Sequence, residues 1–217
     1  MDNDMIVLEN NDLGILFSDD NIYIDFDKFK SKEIQYLFIT GMSGGGKTYL
    51  SEKIKKSLKC EIIHLDQYTE NKYVKAYFKA NPTARNTLIE LYKNSKGIFD
   101  HNYWKTRMTI MKDALRWVVK TYKDKQFIFE GVQVPIIYRM EMANNDYELF
   151  RKDKFALILI STSFSKSFFR RIVRDNISLF KWYSNPMQLI NQYLDWFDSQ
   201  NHFREDIFKS KGIEYNE

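Results

Sequence analysis

The chain has 217 residues, 44% of them hydrophobic and 16% aromatic, enough to bury the core of one enzyme-sized domain. A net charge of +4, with no dense basic tract behind it, gives no reason to expect non-specific nucleic-acid binding. The single cysteine, Cys60, excludes an intrachain disulfide, while the acidic opening Met1-Asp2-Asn3-Asp4 and short apolar runs offer neither a targeting signal nor a membrane span, which reads as a cytoplasmic protein.

Residues 1–33 differ in character from the rest. Apolar runs at 5–8, 13–17 and 22–26 are separated by Asn10-Asn11-Asp12 and Ser18-Asp19-Asp20-Asn21, the spacing of an N-terminal antiparallel β-meander with tight turns. It must pack on the remainder of the chain or form part of a contact in a homo-oligomer. From residue 34 strands alternate with helices, so 34–217 is expected to be one α/β domain with a mostly parallel sheet of about five strands flanked by helices. Strand candidates are 34–40, 61–65, 127–130 and 155–160, with a short fifth at 213–215.

The first of these strands runs into Gly41-Met42-Ser43-Gly44-Gly45-Gly46-Lys47-Thr48, a complete G-x-x-x-x-G-K-[ST] phosphate loop followed by a helix over 47–59. Glycines let consecutive N–H groups converge on phosphate oxygens, the lysine bridges the outer phosphates, and the threonine hydroxyl ligates magnesium. Gly41, Ser43, Gly44, Gly45, Gly46, Lys47, Thr48 and Tyr49 are therefore expected to hold ATP, with Thr48 also on Mg2+ and the helix dipole facing the anion. This strand-loop-helix context makes the domain a P-loop NTPase fold.

Asp66 closes the next strand, at the sheet edge where open α/β folds bind ligands. A carboxylate there can accept the proton of an acceptor hydroxyl; it can also cap the helix that follows. A long insertion, 66–125, comes next, with helices expected near 72–79, 83–94 and 103–122. Its aromatics, Tyr68 among them, can offer a base a stacking wall. Glu130 ends the third strand, and Gly131 allows a sharp turn beside a ligand. After the fourth strand Arg170, Arg171 and Arg174 share a helix in a lid region, 163–190, and spacings of three and four put guanidiniums on one face over the phosphates. A C-terminal helix near 186–203 carries Leu189, Tyr193, Trp196 and Phe197 at helical spacing and is expected to serve packing rather than chemistry.

The phosphate loop, Ile62-Ile63-His64-Leu65-Asp66, Phe99-Asp100-His101, Phe127-Ile128-Phe129-Glu130-Gly131 and Arg170-Arg171-Ile172-Val173-Arg174-Asp175 follow the order of motifs in uridine kinase-like nucleoside kinases, which the chain resembles over about 34–175. The resemblance implies a magnesium- and ATP-dependent transfer of the γ-phosphoryl group to a small acceptor, a nucleoside. It implies a catalytic role for Asp66, a metal contact for Glu130, ribose binding by Asp100 and a sugar or base contact from His101. In this chain Asn102 stands where those kinases carry a proline. Two other classes remain open: a kinase for a nucleoside monophosphate or other small metabolite, for which Arg85, Lys96 and Arg107 are available cations, and a P-loop ATPase or regulatory switch without a small acceptor.

Overall fold

The computed structural model describes residues 21–95, 101–175 and 186–213. Its strands are β1 (Ile22–Ile24), β2 (Tyr36–Gly41), β3 (Glu61–His64), β4 (Phe127–Glu130) and β5 (Phe155–Ile160). They form one sheet in the order β1-β5-β2-β4-β3, parallel throughout except for β1, which lies antiparallel on β5. The helices are α1 (Phe26–Lys30), α2 (Lys47–Leu58), α3 (Lys72–Ala80), α4 (Pro82–Asn94), α5 (His101–Thr121), α6 (Val134–Ala143), α7 (Phe164–Asp175) and α8 (Pro186–Lys211). Because β2 is followed by β3, and β4 by β5, each of these links steps over the strand between, so the chain reverses direction across the sheet beside β2. The switch point at the carboxyl ends of β2 and β4 is where open α/β sheets bind ligands.

Strand residues alternate between two chemically distinct faces. Tyr36, Phe38, Phe127, Phe129 and Phe155 point to one side and Leu37, Ile39, Ile128, Ala156 and Ile158 to the other, all of them buried. The aromatic face receives α3, α5, α6 and the end of α8, and the Phe38 and Phe150 rings stack at 4.5 Å. The aliphatic face receives the short α1 and the phosphate-loop helix α2 through Phe26, Phe29, Leu50 and Ile54.

Several expectations change. The run at 22–26 is strand only as far as Ile24; Asp25, at φ 51°, turns the chain into α1, which the sequence reading missed. Instead of closing a meander, Ile22–Ile24 supplies the fifth strand of the main sheet. The other two meander strands, 5–8 and 13–17, lie outside the described residues. The strand expected at 213–215 does not start at Ile213, which follows the end of α8 without strand structure, and the residues after it lie outside the described part. Helix α6 was also unforeseen. Its Glu141 is fully buried, accepts the main-chain N–H groups of Leu149 and Phe150, and is met by Arg116 of α5 at 2.7 Å, which fastens the α6–β5 connection to the insertion helix.

No helix among the described residues is long and apolar enough to cross a membrane.

Candidate functional site

Backbone geometry explains the spelling of the phosphate loop. Gly41 ends β2 at φ +142°, and a Cβ there would stand 2.6 Å from the main-chain oxygen of Ile160 on β5. Gly46 caps α2 at φ +100° with nothing within 4 Å of a Cβ, so conformation rather than space selects glycine there. Gly45 donates its N–H to Met42 O at 3.0 Å, tightening the turn. The buried Lys47 donates through Nζ to Gly41 O at 3.1 Å and Met42 O at 3.0 Å, which folds its ammonium back across the loop. Tyr49, in the first turn of α2, is 68% exposed, with the Lys53 ammonium 4.7 Å from its ring.

At the far side of the loop the Thr48 hydroxyl donates to Glu130 Oε2 at 3.3 Å. The same carboxylate oxygen is 2.7 Å from His64 Nδ1, and His64 Nε2 is 3.9 Å from Glu52 Oε1. Glu130 is buried at the end of β4, and His64 is its register partner on β3. The hydrogen bond to Glu130 raises the His64 pKa above its ordinary value, with burial opposing it. His64 was not anticipated as part of the site, because nothing in the sequence shows which strand β3 pairs with. Gly131 is needed for close approach: a Cβ there would lie 2.8 Å from Leu65 Cβ and would also meet Gln133 Oε1.

Thr48 and Glu130 together present hard oxygen donors of the kind Mg2+ takes. Among the described residues no group of three or more His, Cys, Asp and Glu converges on a point.

Asp66 lies just beyond β3, exposed, in a 3-10 segment over Leu65–Glu70. It does not cap the next helix: Asn71 does, accepting from Tyr73 N at 2.9 Å. Its main-chain oxygen instead receives Arg107 from α5 at 2.8 Å. The Arg107 guanidinium lies 5.8 Å from the Tyr68 ring and 5.7 Å from the Trp104 ring, and has no carboxylate partner among the described residues. Tyr68 is fully buried beneath it, so its ring belongs to the core more than to an open wall. His101 opens α5 and is exposed, whereas Asp100 lies outside the described residues.

Helix α7 flanks the other edge of the loop. Arg170 is exposed and reaches toward Gly44 O at 3.5 Å. Arg171 and Arg174 follow in the same helix, with side chains outside what the structure describes. The C-terminal helix packs as expected, with Trp196 and Phe197 beside the buried Tyr193, and it also forms hydrogen bonds. Tyr193 donates to Ser43 O at 3.2 Å, and Gln200 pairs with Thr40 Oγ1 at 3.2 Å, so α8 bonds directly to the strand and loop that carry the site.

No protein-family model matches the chain, and no curated protein matches it in sequence. Among solved structures it is similar to a deoxyadenosine kinase from M. mycoides with bound dCTP, at 16% sequence identity and a TM-score of 0.36, over 81% of this chain and 83% of that one. A likeness that slight says nothing of what this chain binds.

Proposed function

We propose that the protein is an ATP-dependent small-molecule kinase that uses Mg2+ and moves the γ-phosphoryl group to a hydroxyl of an acceptor, a nucleoside in the first place. One observation carries the reading: a complete phosphate loop whose Thr48 hydroxyl lies 3.3 Å from the buried Glu130, with the exposed Asp66 carboxylate in the segment that follows the adjacent strand β3. In this reading the loop amides and Lys47 hold the triphosphate. Thr48 and Glu130 hold Mg2+, which neutralises phosphate charge when bound. Asp66 accepts the proton of the attacking hydroxyl, and Arg170, with Arg171 and Arg174 near it on α7, faces the charge that spreads over the transferred group. The insertion at 66–125 forms the acceptor side, with His101 at its mouth.

One feature favours a second reading, in which the acceptor already carries a phosphate. Arg107 sits beside Asp66, anchored through one N–H, and its remaining donors have no carboxylate to answer among the described residues. A planar guanidinium is suited to a phosphate or to the paired acceptor atoms of a base.

The test is conversion of ATP to ADP over a panel of nucleosides and nucleoside monophosphates, with the phosphorylated product identified by mass spectrometry. Wild-type protein should yield a phosphorylated acceptor, and Lys47→Ala should abolish turnover while circular dichroism stays unchanged. Asp66→Asn should lower kcat with ATP affinity preserved. ATP hydrolysis without any phosphorylated acceptor across the panel would replace the kinase reading with that of an ATPase or switch.

A further inference from the structure

Two hydroxyls from different helices converge on one carbonyl of the phosphate loop. Ser167 of α7 donates to Ser43 O at 2.6 Å and Tyr193 of α8 donates to the same oxygen at 3.2 Å. Both side chains are fully buried. Tyr193 is held between the Phe168 ring, near-perpendicular at 5.2 Å, and the Trp196 ring, tilted at 5.5 Å, and packs on Met42 of the loop itself. A carbonyl oxygen has two lone pairs, so this one is saturated by groups that have little freedom to move.

The direction of that carbonyl has a consequence for the anion. In a trans peptide C=O and N–H point opposite ways. Turning Ser43 O outward against α7 and α8 therefore turns the Gly44 N–H inward, away from both helices. We propose that Ser167 and Tyr193 are positioning residues for the nucleotide: they fix the Ser43–Gly44 peptide so that the Gly44 N–H already faces the phosphate site before ATP arrives.

The rest of the loop explains why such a device is needed. Gly44, Gly45 and Gly46 stand in succession, and glycine loses more backbone freedom on ordering than any other residue. Left to themselves they would be ordered at the expense of nucleotide affinity; held in place from outside, they bind without that loss. Further anchors act on the same segment. Gln200 and Thr40 are bonded at the end of β2, and Arg170 lies 3.5 Å from the next carbonyl, Gly44 O. The part of α7 that bears Ser167 is accordingly a fixed backing behind the loop, on the side away from the anion.

This inference rests on the nucleotide-binding reading above, and the experiment separates the two. Binding of a fluorescent ATP analogue is titrated on wild type, Tyr193→Phe, Ser167→Ala and the double variant, with urea denaturation of each in parallel. Tyr193→Phe keeps the ring and its packing, so it removes only the hydroxyl. Losing both bonds should raise the dissociation constant by roughly tenfold, with a rise of roughly threefold for Tyr193→Phe alone. KM for ATP should rise with it while kcat at saturating ATP changes much less, the pattern of lost uniform binding. A role in packing alone lowers the denaturation midpoint and leaves the dissociation constant where it was; that result overturns the proposal. Should the double variant not fold, the isosteric Tyr193→Phe decides by the same criterion. Wild-type protein that does not bind the analogue overturns the nucleotide reading and this inference with it, whereas wild-type binding with unaffected variants overturns this inference alone.

Discussion

His64 and Glu130 are register partners on adjacent parallel strands, and their side chains meet at 2.7 Å at the carboxyl edge of the sheet. The same Glu130 oxygen accepts the Thr48 hydroxyl, so one buried carboxylate links a histidine to the phosphate loop.

That link has a measurable titration. Glu130 holds the His64 pKa above its ordinary value. Protonated His64 therefore stabilises the fold, a contribution fully present below the unfolded pKa near ~6.5 and lost as pH rises through the higher folded value. In metal-free protein the His64 ring signals should titrate above ~6.5, and Glu130→Gln should bring them back toward it. Under the kinase reading the same variant should raise the magnesium concentration needed for half-maximal turnover. An unmoved His64 titration in Glu130→Gln would show that the pair does not act as described.

Glycine substitutions should separate crowding from conformation. At Gly41 a methyl meets the Ile160 carbonyl of the neighbouring strand at 2.6 Å, and backbone cannot step aside. Gly41→Ala should cost about 3 kcal/mol or more, adding overpacking to positive-φ strain. Gly46→Ala meets nothing within 4 Å, so only its φ of +100° is penalised, at about 1–2 kcal/mol. Urea denaturation of the two variants checks the order, and equal costs would contradict the packing at β5.

Glu141 supplies a buried-charge test away from the site. Burial pushes its carboxyl pKa up, while Arg116 and two main-chain amides pull it down. Arg116→Met strands that carboxylate and should cost about 3–5 kcal/mol at neutral pH, with Glu141→Gln costing less because it keeps an acceptor for Leu149 and Phe150. A group whose folded pKa is raised contributes stability below its unfolded pKa and loses it as pH rises through the folded one. Arg116→Met should thus regain part of its loss on acidification toward pH ~5, where the stranded carboxyl takes up a proton. Thermal denaturation at both pH values would show it, and a pH-independent deficit would assign the loss to packing.

Arg170 distinguishes a catalytic guanidinium from a solvated one. It is exposed and near Gly44 O, so Arg170→Ala should change stability by no more than ~0.5 kcal/mol. If it faces the transferring group, turnover should nevertheless fall more than nucleotide affinity, and Arg170→Lys should restore only part, since an ammonium cannot reproduce a bidentate fork. Wild-type kcat in Arg170→Ala would remove it from the chemistry.

Local signals in the chain were enough for the phosphate loop, for the strands expected at 34–40, 61–65, 127–130 and 155–160, of which the first two are found at 36–41 and 61–64, and for helices across the insertion. Each is written in contiguous residues: glycines at fixed offsets, apolar runs, helical periodicity. The sequence also placed Glu130 and Asp66 at strand ends, which is a local fact. What it could not contain is which strand lies beside which. The pairing of β3 with β4 alone brings His64 to Glu130, and the antiparallel docking of β1 on β5 alone turns an apparent meander into a sheet edge. The same holds for α8, whose Tyr193 and Gln200 look like helix packing in one dimension and become hydrogen-bond partners of Ser43 and Thr40 only when the chain returns across about 150 residues. Hydrogen bonds between distant residues leave no periodic mark, because a buried tyrosine with a polar partner and one without are spelled the same way.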